Sequence, residues 1–159
     1  MLRPFRVKRS PIHGNGVFAA RNLPAGQRVI RYCGKVVTHD DADELYDGSV
    51  ESGHTFLFTL NEAYIIDANQ RGNDARWINH SCEPNCEAVI VEDDNGDRAK
   101  DRIYIETTRA IRKGEELTYD YGINPECRQT ARLKQIWACR CGHTQCTGTM
   151  LKTRKAKKK

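Results

Sequence analysis

No apolar run in this chain of 159 residues approaches the roughly 20 residues that a membrane-spanning helix needs, so no membrane partner is expected. The opening "MLRPFRVKRSP" has no apolar core of the kind that marks a secretory signal, which leaves the cytoplasm or a nuclear, chromatin-associated compartment as the expected setting. The seven cysteines are odd in number, which argues against a complete disulfide framework and toward metal binding or free thiols. "HGNG" at 13–16 lacks the third glycine, the following helix and the βαβ setting of a dinucleotide fingerprint, and that class is excluded. No low-complexity segment precedes the last eight residues, "KTRKAKKK", which contain no acid.

What is present is a soluble globular composition, 38% hydrophobic and 30% charged, of a length that suits one domain. The net charge of +5 hides an uneven distribution. Six basic residues lie in 152–159, and Arg3, Arg6, Lys8 and Arg9 lie near the start. The stretch between carries 16 basic against 21 acidic residues. An acidic body attracts a basic peptide, and the basic ends suit weak contact with nucleic acid.

Short β-rich runs separated by turn signals predict a mainly β fold. "HTFLFTL" and "YIIDA" read as a hairpin, and "DDNGD" joins "EAVIV" to "DRIYIETT" as a second. "DDADELYD" at 40–47 is a short polar helix candidate, and 126–138, "ECRQTARLKQIWA", is the one convincing helix.

The cysteines fall into clusters. Cys139, Cys141 and Cys146 lie within eight residues, too close for three buried apolar groups, and their spacing suits tetrahedral Zn²⁺. A fourth ligand must come from Cys82, Cys86, Cys127 or His143, and spacing alone leaves these open. In "RWINHSCEPNC", a Cys82 nucleophile with His80 as base is disfavoured, because no third group orients the pair. In "EELTYDYG", Tyr119 and Tyr121 are two apart and share a face if the strand continues. By themselves they are ordinary sheet aromatics; beside Asn79 and Trp77 they suit a narrow channel for an aliphatic amine.

Taken together, "HGNGVFA", "YCG" at 32–34, "IDANQRGNDARWINHSCEPNC" at 66–86, "GEELTYDYG" at 114–122 and "CRCGHTQC" at 139–146 resemble the SET-domain protein lysine methyltransferases with a post-SET zinc motif. The resemblance spans about residues 5–150. It implies a SET domain over 5–122, built of small β-sheets with a pseudoknot-like crossing between the segments bearing NHSC and LTYDY. A post-SET zinc segment over 123–151 and a basic tail, 152–159, would follow.

By that likeness Gly14, Asn15 and Gly16 hold S-adenosylmethionine through their backbone, and Arg76, Asn79 and His80 line the same pocket. Tyr121 stands at the methyl-transfer centre and also borders the cofactor. Tyr119 tunes how many methyl groups fit, and tyrosine there favours mono- or dimethyl-lysine. Phe56 stands in the lysine channel where the family often has tyrosine. Cys82 joins Cys139, Cys141 and Cys146 around zinc, leaving Cys86 a bystander. The family commonly places an aromatic over the cofactor after Cys146, where this chain has Thr149 and Met150. The implied activity is methyl transfer to a lysine of a histone or other basic protein. The alternative is a zinc-stabilised peptide-binding module with little turnover, motivated by Phe56 and by Thr149 and Met150.

Overall fold

The computed structural model describes residues 3–45, 56–123, 130–144 and 146–151. Cys127, the tail 152–159 and part of the sequence-expected helices and hairpin lie outside these residues. Within them the chain is mainly β, as expected. In chain order the elements are β1 (Phe5–Arg9), β2 (Asn15–Ala19), β3 (Arg28–Tyr32), β4 (Lys35–Thr38), α1 (His39–Leu45), β5 (Leu57–Thr59), β6 (Tyr64–Asp67), β7 (Asn79–His80), β8 (Cys86–Val91), β9 (Arg102–Thr107), β10 (Thr118–Tyr119) and α2 (Ala131–Ile136). None of the described helices is long and apolar enough to cross a membrane.

The strands form four small sheets, ordered β1-β2, β3-β9-β8, β4-β6-β5 and β7-β10. Alternation explains the choice of faces. In β9 Ile103, Ile105 and Thr107 are buried while Arg102, Tyr104 and Glu106 are half-exposed, the two-residue period of a half-buried strand. Arg28 stacks over the outer Tyr104 ring at 3.9 Å and pairs with Glu106, so that face is capped by charge. The inner faces meet in one core that includes Val17, Leu23, Leu60, Ile78, Ile103, Ile105, Ile111 and Leu117.

Both expected hairpins form. The β5/β6 pair is antiparallel across the turn, where Asn61 Oδ1 accepts the N–H groups of Ala63 and Tyr64. The β8/β9 connection is longer than a tight "DDNGD" turn. The Asp93 carboxylate accepts from the backbone of Asn95 and Asp97, and the buried Asp101 carboxylate accepts from Asp93 N–H and Asn61. These local bonds compete with the ladder, so pairing begins only at Arg102.

The C-terminal helix also differs from its expectation. It begins after Thr130, whose side chain accepts from Leu133 N–H, and ends at Ile136, not at Ala138. Ala138 is instead bridged to Thr149, which folds the chain back so that Leu133, Trp137 and Leu151 form a second, small apolar cluster.

The arrangement that builds the site is the parallel pair β7/β10, which registers Asn79 with Thr118 and His80 with Tyr119. Two strands are too few for stability, and side chains extend the join. Asn85 donates to the Glu116 carbonyl and accepts from Thr118 N–H, and Ser81 N–H donates to the Tyr119 carbonyl. Segments 79–85 and 116–121 are thereby locked across each other.

Candidate active site

One cavity lies where this crossing meets the β2 entry and the C-terminal segment. It is lined by Ile12, His13, Gly14, Asn15, Phe56, Arg76, Trp77, Asn79, His80 and Tyr121 on one side. Residues 135–140 and Met150 close the other. Of the residues singled out in the sequence, Gly14, Asn15, Arg76, Asn79, His80, Tyr121, Phe56 and Cys139 border this cavity, whereas Gly16 and Tyr119 do not.

Gly14 adopts φ +46°, a backbone that side chains with a Cβ rarely take, and so bends the loop over the cavity. The Asn79 amide nitrogen donates toward the carbonyls of His13 and Asn15 and toward Glu116 Oε1, at 3.1, 3.0 and 2.9 Å. Three surrounding acceptors decide which end of that amide is nitrogen.

Arg76 is the last but one residue of a short 3₁₀ helix, Asp74–Trp77. Its guanidinium lies 4.7 Å from the Trp77 ring centroid, and one nitrogen donates to the Ala68 carbonyl. Its Nε is buried with no hydrogen-bond partner among the described residues. A buried N–H of a cation left unpaired is costly, and it suits an anionic ligand group.

His80 accepts the Tyr121 N–H at Nδ1, at 3.0 Å, leaving its ring proton on Nε2, 3.9 Å from Cys82 Sγ. Burial lowers its pKa and outweighs Asp120, 3.7 Å away, so the imidazole is held neutral. It is a positioning group in the fold rather than a base for Cys82.

The Tyr121 hydroxyl donates to the Ile78 carbonyl. Its ring lies 4.9 Å from that of Tyr119, which stacks on Phe58 at 5.8 Å. Phe58 meets the Tyr32 ring edge-on, and the Tyr32 hydroxyl donates to the Phe56 carbonyl. Phe56 in turn packs edge-on against Trp77 at 5.3 Å. Burial, first of all, raises the pKa of Tyr32, Tyr119 and Tyr121, so all three phenols are protonated at neutral pH. Sequence reasoning missed Tyr32 as part of this cluster, although "YCG" was noted. Trp137, within the expected helix 126–138, carries no sequence signal of a site, yet together with Met150 it helps wall the cavity, on the side where the resemblance implies an aromatic after Cys146.

Behind that wall the Sγ atoms of Cys82, Cys139, Cys141 and Cys146 all lie within 4.8 Å of one another. Cys82 is 3.6 Å from Cys139 and 3.8 Å from Cys146. Four thiolates bound tetrahedrally at about 2.3 Å from zinc stand about 3.8 Å apart, so the donor set and spacing fit that ion. Burial raises the Cys141 pKa, but backbone N–H groups of Cys82 and His143 and the neighbouring thiols outweigh it and bring it down to about 6. Cys86 lies elsewhere, 2% exposed in the main core, its thiol pushed up to about 12 by burial.

Residues 14–122 match the SET domain family. The chain belongs to the SET-domain family. It is 40% identical over 148 residues to a histone-lysine N-methyltransferase, H3 lysine-4 specific, of Aspergillus oryzae, covering 92% of this chain and 11% of the relative. It is 38% identical over 143 residues to histone-lysine N-methyltransferase 2B of Homo sapiens, covering 88% of this chain and 5% of that protein. A putative histone-lysine N-methyltransferase 1 of Plasmodium falciparum is 39% identical over 146 residues, 91% of this chain and 2% of the relative. The SET-domain chain thus corresponds to a small part of each of these proteins.

Proposed function

We propose that this SET-domain chain transfers a methyl group from S-adenosylmethionine to the side-chain amine of a lysine in a histone or another basic protein, with mono- or dimethyl-lysine favoured. The observation that carries the reading is the convergence of Arg76, Asn79 and the His13–Asn15 backbone with Tyr121 and Phe56 at one cavity. The unpaired Arg76 Nε fits a carboxylate. The loop carbonyls fit an ammonium group, and Ile12, Trp137 and Met150 fit the flat face of a nucleoside base. S-adenosylmethionine has these three parts, and when bound it supplies an electrophilic methyl on a sulfonium sulfur.

The chain's own residues then have defined tasks. Tyr121, Tyr119 and Phe56 border the path of the incoming lysine, exclude water and hold the amine in line, and orientation is the main contribution. The lysine must be neutral to attack, although its free pKa is about 10.4; leaving water and approaching positive charge both lower it. Raised phenol pKa values keep Tyr121 and Tyr119 from taking that proton as bases, so none of the channel residues acts as a general base. The four cysteines would hold zinc with every coordination position closed, a structural site that fastens Cys139, Arg140 and Met150 against the cofactor. The acidic body favours a basic substrate, and the names of the relatives support a histone and a chromatin setting.

The test incubates the chain with radiolabelled S-adenosylmethionine, core histones and a lysine peptide array. Label in lysine is the expected result. Binding of the cofactor without transfer to any substrate would favour the peptide-binding alternative.

A further inference from the structure

Glu116 belongs to none of the groups assigned above and does not line the cavity, yet its carboxylate is where three parts of the site meet. Oε1 accepts from Ser10 Oγ at 2.7 Å and from Asn79 Nδ2 at 2.9 Å, and Oε2 accepts from the same Ser10 hydroxyl at 2.9 Å. Ser10 in turn closes the cavity loop on itself: its N–H donates to the Gly14 carbonyl at 2.7 Å, and its Oγ accepts from Ile12 N–H at 2.9 Å. Asn79 has two amide hydrogens for three acceptors, one of them Glu116, so the carboxylate shares the group that pins the His13 and Asn15 carbonyls.

Gly16 is explained by the same carboxylate. A Cβ on Gly16 would stand 2.2 Å from Glu116 Oε1 and 2.9 Å from Ser10 Cβ. Its backbone is not left-handed, so the glycine answers to a lack of space and not to a turn. The second glycine of "HGNG" therefore makes room for Glu116, while the first bends the loop over the cavity.

We propose that Glu116 is a positioning residue that holds loop 10–16 in the shape that receives the cofactor, acting through Ser10 and Asn79. The proposal rests on the reading that this cavity takes S-adenosylmethionine. Losing the carboxylate frees Ser10 and one side of the Asn79 amide, so cofactor affinity falls, while Tyr119 and Tyr121, further along the same segment, keep their own contacts with Phe58, His80 and Ile78 and stay in place. Gln at 116 has the same shape, can accept from Asn79 through its oxygen and donate to Ser10 through its nitrogen, and should rescue.

The experiment measures S-adenosylhomocysteine binding by calorimetry to the whole chain, with the KM for S-adenosylmethionine and kcat alongside. Glu116→Ala is expected to raise the dissociation constant and the KM about tenfold, the scale of one charge-assisted hydrogen bond, with kcat at saturating cofactor within about twofold. Glu116→Gln should stay close to the wild type. Gly16→Ala should weaken binding in the wild-type background and do much less harm combined with Glu116→Ala, a non-additivity that reads the contact directly. Ser10→Ala breaks the same link from outside the core and is expected to match the Glu116→Ala loss, which covers the case in which the latter fails to fold. Unchanged affinity in Ser10→Ala and in any folded Glu116→Ala would overturn the assignment. A wild-type chain that does not bind S-adenosylhomocysteine would instead overturn the cofactor reading and, with it, the proposal.

Discussion

Cys82 and Cys139 hold their Sγ atoms 3.6 Å apart although 57 residues separate them in the chain. The contact joins the crossing segment to the C-terminal one, and Cys139 also borders the cavity. If the four thiols hold zinc, removing the ion must loosen that wall. Elemental analysis is expected to find about one zinc per chain. Cys86→Ala should keep it, because that thiol sits in the main core, and Cys82→Ala should lose it. A strong chelator should then abolish S-adenosylhomocysteine binding and change the fluorescence of Trp137. Equal metal content in the two variants would remove Cys82 from the ligand set.

Tyr121 is anchored twice to the segment it crosses, by its N–H to His80 and by its hydroxyl to Ile78. Such anchoring fixes the phenol oxygen at the cavity without asking it to move a proton. Tyr121→Phe keeps the ring and its contact with Tyr119 and removes only the oxygen. Turnover of a histone peptide should fall by about 100-fold or more, the usual cost of losing one preorganised polar group at the reacting centre. Calorimetric binding of S-adenosylhomocysteine should be nearly unchanged. Unaltered single-turnover rates would take Tyr121 out of the methyl-transfer centre.

The mainly β class was legible because alternation in segments such as "RIYIET" is local. Turn chemistry was equally legible, since Gly and Asn act over two or three residues. The four-cysteine cluster was visible only in part: three thiols within eight residues mark a metal site, but the fourth comes from 57 residues away and spacing could not choose it. Glu116 was invisible for a different reason. A glutamate in "GEELTYDYG" looks like any exposed strand-edge charge, and its tie to Ser10 spans 106 residues. Trp137 carried no signal either, because an apolar helix residue facing a cavity and one facing a core have the same spacing. The end of the C-terminal helix was misplaced because the Ala138–Thr149 bridge is a tertiary contact that overrides helix propensity.

Two buried phenols, Tyr32 and Tyr119, and the half-buried Tyr121 make the fold sensitive to base. Tyr32, Tyr119 and Tyr121 have raised pKa values in the folded chain, chiefly from burial, while unfolded tyrosine ionises near 10. Above that pH the unfolded state holds fewer protons than the native one, so their contribution is complete below pH 10 and declines as pH rises. Denaturant midpoints should therefore hold up to about pH 10 and fall progressively above it. Replacing Tyr32 by Phe should flatten that drop, since a ring without a hydroxyl has nothing to ionise. Ultraviolet phenolate absorbance that rises fully near pH 10 without unfolding would contradict the buried, protonated cluster.

Tyr119 offers the sharpest test of the channel. It is 5% exposed, stacked on Phe58 and tilted against Tyr121, and does not line the cavity; on the proposed reading its ring stands beside the methyl-transfer centre. On that reading a buried oxygen there would limit how bulky the amine can become and would give a mono- or dimethylated amine a group to lean on. Tyr119→Phe removes one oxygen, keeps the stacking and leaves room for an added methyl or a displaced water. Mass spectrometry of a peptide product should show the balance shift by one methyl group toward higher methylation, with total turnover within a few-fold of the wild type. Phe58 should respond in the opposite sense, because Phe58→Tyr adds an oxygen to the same aromatic stack and should press the product toward monomethyl-lysine. An identical product ratio in wild type and Tyr119→Phe would mean that the space for the amine is set elsewhere, with Phe56 and Trp77 the next residues to vary.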